Sequence, residues 1–496
     1  MDDGDRRRAL TRFASEGRRA QPPVFAGRKA VIEDISSAAE LAYEKWSSGG
    51  IDAKDPGLTR LVQGAPGAGK TALLRHLQER WRGNPEPGRP ITVRVSAGAL
   101  ESPEEMHKRL REQIPTTVME KWGAVLVGGL IKTVPGGVAD ALEPVAEAAT
   151  GVLREKAVAS VPAAVVVMVD ETQRVRPHSA AATTLQNLHE GAFGDIPVLP
   201  VFAGLGYLHS HLQQEGIKIS RYSDDRRCVH TLGRLRDSEC LALLREWLAH
   251  FGVVARPAES EQWGDALSRD TQGWPMHTSG FLAALADELA QSRNPAILAS
   301  ADLEIARKVA AEDRAVYYNG RYRGIIQANV RWVGRAMAVL GAKGDLLEED
   351  ATAIIRDVGP SDGDAPALFN ALVNRGFLQR QGVGLTFACP IPSLISHAAV
   401  AASENLGMHT AAIVGDIETL RRLAAGGMDI ESRDALGRTP LRVAAECRWA
   451  EVAQDLLKAG ADADAPDSNG TTPRTAWREF EWPDPPRQAI DEGRRL

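Results

Sequence analysis

The chain has 496 residues, of which 44% are hydrophobic and 25% charged, ordinary values for a soluble globular protein. At about 100–200 residues per domain, that length calls for several domains, each able to bury its own core. A formal net charge of −6 supplies no global basic field, so nucleic-acid binding by the surface as a whole is disfavoured.

Cys228, Cys240, Cys389 and Cys447 form no CxxC pair and no zinc spacing with a histidine. They read as reduced, small hydrophobic residues in a reducing compartment. Residues 1–22 carry charge but no apolar h-region, so they are not a secretory signal. They are expected to be a flexible lead-in ending at Pro22 and Pro23. From 23 to 235, β and α signals alternate. The strand candidates are Thr59–Gln63, Pro90–Ser96, Ala163–Val169 and Pro197–Ala203, short β-branched runs without polar alternation. Strands buried on both faces of a parallel sheet have this pattern. Helical patterns over Thr71–Trp81 and Ser179–His189 separate them, which predicts an α/β fold with helices covering a parallel sheet. The most apolar internal stretch, Trp122 to Val138, is broken by Lys132 and Pro135 and is too short to span a bilayer. No membrane partner and a cytoplasmic location are expected.

From 236 to 327 the pattern is helical. Leu241, Leu243, Leu244, Trp247 and Leu248 form an amphipathic stripe over Ser238–Phe251, and Phe281–Gln291 repeats the style. Residues 328–402 hold three short helical segments. Two small strands with a glycine-rich turn follow within 376–387, which predicts a winged-helix-like module. Residues 405–480 contain an internal repeat. Gly427 and Gly460 are 33 apart, as are Asp434 and Asp467, Thr439-Pro440 and Thr472-Pro473, Ala411-Ala412 and Ala444-Ala445, and Leu423 and Leu456. A period of 33 with a β-turn and two helices is the ankyrin signature. Two units are fairly complete and a third is degenerate. Since about three are needed for stability, the array is expected to lean on the domain before it. Residues 481–496 are a tail.

Two motifs carry chemistry. Gly64, Ala65, Pro66, Gly67, Ala68, Gly69, Lys70 and Thr71 fit G-x-x-x-x-G-K-[ST], between a strand and a helix that continues with Ala72. The glycines let backbone N–H groups curl around phosphates, and the helix N-terminus favours anions. Lys70 neutralises the β- and γ-phosphates, and the Thr71 hydroxyl is a magnesium ligand. The second motif is the apolar run Ala163–Val169 ending in Asp170 and Glu171. Acids at the C-terminal end of a parallel strand face the ligand crevice. Asp170 is placed to hold magnesium and Glu171 to act as general base on water.

With both motifs present, the chain resembles an AAA+ ATPase over about residues 23–400. More narrowly, it resembles the branch shared by origin-initiator ATPases and signal-transducing STAND ATPases. Val24-Phe25-Ala26-Gly27-Arg28 is similar to the h-h-G-R motif of that branch, which borders the nucleotide. Asp170-Glu171-Thr172-Gln173 is similar to its D-E-x-Q. Gly273-Trp274-Pro275 resembles the G-x-P of the STAND helical lid, which packs against adenine. The resemblance implies ATP with Mg2+, and places Arg28 and Pro275 beside the nucleotide. It also implies ATP rather than GTP, since no N-K-x-D motif is apparent. Arg221 stands near the family's arginine-finger position, with Arg226 and Arg227 as alternatives; a finger acting in trans implies a homo-oligomer in the ATP state.

There are departures from the family pattern. Gly204 ends the fourth strand where the family often carries a polar sensor, which argues against fast turnover. No lid arginine is evident; His277 is either a substitute or a satisfied histidine.

The appended modules suggest regulation. Residues 331–380 hold six basic and seven acidic side chains, and the recognition-helix candidate Pro366–Arg375 has one positive charge. DNA affinity depends on phosphate contacts from Lys and Arg, so DNA is possible but not favoured as a partner. Ankyrin arrays present surfaces for protein recognition. The leading expectation is an Mg-ATP-driven switch that engages a protein partner through its ankyrin repeats. The alternatives are a DNA-associated ATPase of initiator or transposition-regulator type, and an ATP-binding scaffold with negligible hydrolysis.

Overall fold

The computed structural model describes residues 1–16, 23–48, 59–82, 89–114, 130, 133–135, 163–176, 178–190, 196–205, 228–323, 325, 330–343, 345–380, 386–391, 406–434 and 436–479. The chain divides into an α/β unit, Gly27–Gly233, and a helical unit made of Met1–Ala26 and Arg234–Leu496. Among the described residues no helix is long and apolar enough to cross a membrane.

The first helix, α1 (Asp3–Ala14), belongs to the helical unit and corrects the expectation of a flexible lead-in. Asp2 caps it by accepting from the Asp5 N–H. Leu10 and Phe13, three apart and so on one face, are buried. Phe13 packs its ring 5.9 Å from Trp247 and 5.8 Å from Phe251. Arg6 donates to the Phe251 carbonyl at 2.9 Å and Arg7 to that of Ala290 at 2.6 Å. A highly charged segment is ordered here because two apolar residues find a tertiary partner.

The α/β unit contains α2 (Lys29–Ser47), β1 (Arg60–Gln63), α3 (Lys70–Arg80), β2 (Ile91–Ser96), α4 (Pro103–Gln113), β3 (Val165–Asp170), α5 (Ala180–His189), β4 (Val198–Gly204) and β5 (Val229–Thr231). The five strands pair in parallel in the order β2-β3-β4-β1-β5. Every residue of β1, β3 and β4 is buried, which is why β3 up to Asp170 and β4 read as apolar runs, while β1 also buries Arg60 and Gln63. The fifth strand carried no such signal, because it is three residues long and partly exposed. One polar cluster ties three elements together. Asp34 on α2 accepts from Arg60 Nε on β1 at 2.6 Å and pairs with His230 Nε2 on β5 at 2.8 Å.

The helical unit continues with α6 (Asp237–Phe251), α7 (Pro257–Thr271), α8 (Pro275–Gln291) and α9 (Ser300–Arg323). Of the predicted stripe on α6, Leu243, Leu244, Trp247 and Leu248 are buried, whereas Leu241 is partly exposed. Next come α10 (Val330–Lys343), β6 (Leu346–Leu347), α11 (Glu348–Asp357), α12 (Ala365–Asn374), β7 (Gln379–Arg380) and β8 (Thr386–Ala388). The three short strands form an antiparallel sheet in the order β6-β8-β7. Trp332 anchors this module, donating its indole N–H to the Ile355 carbonyl at 2.8 Å.

The chain ends in α13 (Leu406–Val414), α14 (Ile417–Ala425), α15 (Pro440–Cys447), α16 (Ala450–Lys458) and α17 (Pro473–Glu479). The 33-residue identities have local causes. Thr439 and Thr472 are helix N-caps, accepting from the N–H groups of Arg442 at 3.2 Å and Thr475 at 3.1 Å, with proline at the next position. Asp434 Oδ1 and Asp467 Oδ1 each accept two loop N–H groups. The array does share a core with an earlier element: Ala311 and Ala315 of α9 join Met408, Ala411 and Leu441.

Candidate phosphate-binding loop

The loop grows out of the C-terminal end of β1, the strand between β4 and β5. Two of its residues require glycine for their backbone. Gly67 and Gly69 have φ of 83° and 91°, in the region that side chains with a Cβ avoid. Gly64 is needed for space, since a Cβ there would meet the Leu232 carbonyl oxygen at 2.8 Å. Ala65 and Ala68 are buried, whereas Pro66 and Gly67 are partly exposed. Gly69 caps α3, which begins at Lys70, so Lys70, Thr71 and Ala72 form its first turn.

Lys70 folds back into the loop. Its ammonium donates to the carbonyls of Gly64 at 2.7 Å and Ala65 at 3.1 Å. Burial pushes its pKa down to about 8, against the opposing pull of the Glu171 and Asp170 carboxylates. A buried ammonium held by carbonyls alone is under-compensated, and an arriving phosphate relieves it.

The sheet order carries Asp170, at the end of β3, to α3. The Thr71 hydroxyl donates to Asp170 Oδ2 at 2.8 Å, bridging 99 residues of sequence. Asp170 is buried, and its other oxygen accepts the Glu171 N–H at 3.0 Å. Hydroxyl and carboxylate oxygens in one place suit magnesium, which takes few protein ligands and keeps water and phosphate oxygens. Among the described residues no group of three or more His, Cys, Asp or Glu is placed to hold a metal. Glu171 has φ 59° and begins a single 3-10 turn, Thr172–Arg174. Buried Thr172 ties that turn to β4, donating to the Ala203 carbonyl at 2.5 Å. Gly204, the last residue of β4, offers only its carbonyl, which accepts from the Gly64 N–H at 3.2 Å.

Arg28 also reaches the loop. It has φ 62°, caps α2 through its backbone, and donates to the Ala68 carbonyl at 3.3 Å and to that of Gly233. Pro275 lies in the helical unit, at the first position of α8. Its neighbours explain themselves locally. Gly273 has φ 67°, and a Cβ there would meet the Leu235 carbonyl oxygen at 2.2 Å; Trp274 is fully buried. His277 is buried and bonded to the Tyr318 hydroxyl at 2.7 Å, which makes it a satisfied histidine. Arg221, Arg226 and Arg227 lie outside the described residues. The sequence reading missed Arg174, which pairs with Glu171 through Nε–Oε2 at 3.0 Å; its position three residues after Glu171 was the available signal.

Fold and loop define the class: a parallel α/β unit with a P-loop motif, in a chain whose helical unit ends in ankyrin repeats. A family model for the ankyrin repeat matches residues 436–468. No curated protein matches the chain at a significant level. Among solved structures, the chain is similar to the Walker-type ATPase PABY2304 of Pyrococcus abyssi, at 16% identity over 74% of this chain and 95% of that one, with a TM-score of 0.43. It is similar to the ORC2 protein of Aeropyrum pernix in its ADPNP–ADP complexes, at 14% identity over 77% and 95%, with a TM-score of 0.43. It is also similar to the RuvB Holliday junction branch migration motor of Thermotoga maritima, at 15% identity over 74% and 94%, with a TM-score of 0.34.

Proposed function

We propose that the chain is an Mg-ATP-dependent regulatory ATPase of the AAA+/STAND kind, a conformational switch that engages a protein partner through its ankyrin repeats. The observation that carries this is the Lys70 ammonium buried inside the loop, one residue before a hydroxyl bonded to Asp170. Lys70, the loop N–H groups and the α3 N-terminus bind and orient the phosphates. Thr71 and Asp170 hold magnesium, which when bound neutralises charge on the phosphate oxygens. Glu171 accepts a proton from water as the water oxygen bonds to the terminal phosphorus and the bond to the ADP oxygen breaks. The products are ADP and phosphate.

Arg28 and Pro275 serve nucleotide binding in this reading, and Arg221 is the candidate finger in an ATP-state homo-oligomer. In this reading residues 328–402 are a winged-helix-like module, supported by the order helix–strand–helix–helix–strand–strand among the described residues from 330 to 388. Its balance of charge favours a regulatory over a DNA-binding role. The test is turnover of the native chain beside Glu171→Gln and Lys70→Ala. Loss of hydrolysis in the first variant and of ATP binding in the second is expected. Equal background rates in native and Glu171→Gln protein return the chain to a nucleotide-binding scaffold, and unchanged ATP affinity in Lys70→Ala removes the site.

A further inference from the structure

The long helix α9 carries Arg307, Arg314 and Arg321 at seven-residue intervals. Seven residues are about two helical turns, so the three side chains leave the same side of the helix. Ile305, Val309 and Val316 leave the opposite side and are exposed. The helix therefore turns its arginines inward and these aliphatic side chains outward, the reverse of the usual amphipathic order.

The three arginines are compensated differently. Arg307 donates to both oxygens of Asp270 on α7, at 2.5 and 3.2 Å, and to Glu304 at 3.0 Å. It also lies over the Trp449 ring at 4.6 Å. Arg321 lies over the rings of Tyr317 at 5.7 Å and Phe377 at 5.6 Å, whose faces attract a cation. Arg314, between them, has neither kind of partner among the described residues. Its Nη1 is buried with no hydrogen-bond partner.

Asp270 bonds to Arg307 and acts on Arg314 only through space, as do Cys447, Tyr318 and Asp313. Burial works against the Arg314 charge and, despite these neighbours, lowers its pKa from the ordinary arginine value. The Cys447 thiol does not make up the deficit, because burial pushes its pKa up to about 12 and keeps it neutral. Arginine nevertheless stays protonated. An enclosed N–H without an acceptor is costly until something fills it. Water satisfies the N–H but not the charge. An oxyanion satisfies both, and the planar fork of a guanidinium matches its geometry. The charge to be matched is a single one, and Asp270 and Asp313 repel anything more negative.

We propose that Arg314 is an anion-binding site inside the helical unit, and that its ligand is a small carboxylate of single negative charge. The site is independent of the phosphate-binding loop and of hydrolysis.

The test uses the full chain carrying Lys70→Ala, so that the loop at Gly64–Thr71 does not register the anion. Thermal melts in formate or acetate are compared with melts in chloride at equal ionic strength, for this parent and for Arg314→Met and Arg314→Lys made in it. In the parent, either carboxylate at about five times its dissociation constant should raise the midpoint of the helical unit by roughly 2–4 °C over chloride. Arg314→Met should show no such difference. Arg314→Lys keeps the charge but loses the fork, and should respond less than the parent. If the parent melts alike in carboxylate and in chloride, there is no site. If Arg314→Met responds as strongly as the parent, the effect belongs to the salt and the proposal falls. If Arg314→Met does not fold, the lysine variant decides: a response equal to the parent's overturns the assignment, and a smaller one supports it.

Discussion

Two buried cations show how the α/β unit differs from the ankyrin array. Arg438, between the repeats, is fully enclosed, yet Asp434 and Glu446 meet it at 2.7 and 2.8 Å. Burial works against its charge, but Glu446 and Asp434 outweigh that and raise its pKa above the usual value. Lys70 is similarly enclosed but is met by two carbonyls, and its pKa falls to about 8. A buried cation with its own carboxylates is finished and holds the fold together. A buried cation whose hydrogen bonds go only to carbonyls, with carboxylates acting from further off, is a candidate for binding an anion. The contrast separates a structural ion cluster from a candidate binding site without reference to any relative.

Arg438→Met should have the largest effect, since it leaves Asp434 without its buried cation and Glu446 with only Arg442, at 3.3 Å. A loss of about 3–5 kcal/mol in the array's unfolding transition is expected. A neutral result would mean that the two cations are not different in kind. Lys70→Met should act in the opposite direction. It removes an under-compensated charge and stabilises the ligand-free α/β unit by up to about 3 kcal/mol, while abolishing ATP binding. The same displacement predicts a pH dependence. The folded pKa of Lys70 lies below its ordinary 10.5, so the unfolded chain binds that proton more tightly. The penalty is complete below about pH 8, and the unit's stability rises as pH climbs from about 8 to about 10.5. Urea melts across that interval check the sign.

A pair of threonines sharpens the comparison further. Thr439→Ala should cost about 1 kcal/mol of array stability, because the hydroxyl caps a helix. Thr71→Ala should cost less stability but weaken magnesium-dependent ATP binding by roughly tenfold, or about 1.4 kcal/mol. The smallest effect is a fraction of a proton. ATP binding at about pH 8.5 should take up part of a proton as phosphate restores the Lys70 charge. Calorimetry in buffers of different ionisation enthalpy measures it.

The loop was legible because its chemistry is local. Gly67 and Gly69 stand where φ is positive, Gly64 where a carbonyl crowds the chain, and Lys70 and Thr71 at the start of a helix. The repeat was legible for the same reason, since Thr439, Pro440 and Asp434 satisfy neighbours within a few residues. Illegible features depended on distant partners. The lead-in became α1 because Trp247 and Phe251 receive Phe13. The fifth strand exists because β1 offers it a ladder, not because three residues carry a pattern. His277 is explained by Tyr318, 41 residues away.

The sequence by itself determined the glycine-rich loop at Gly64–Thr71, the acidic end of the third strand and the ankyrin period, because each is written in backbone demands spanning a few residues. Only the tertiary structure decided which groups meet. Sheet order brought Asp170 to Thr71, α9 supplied the array with a neighbour, and the turn after β3 gave Arg174 to Glu171. The physical reason is range. Glycine dihedrals, caps and periodicity act along the chain, while ion pairs, burial and core sharing act through space, where sequence separation carries no weight.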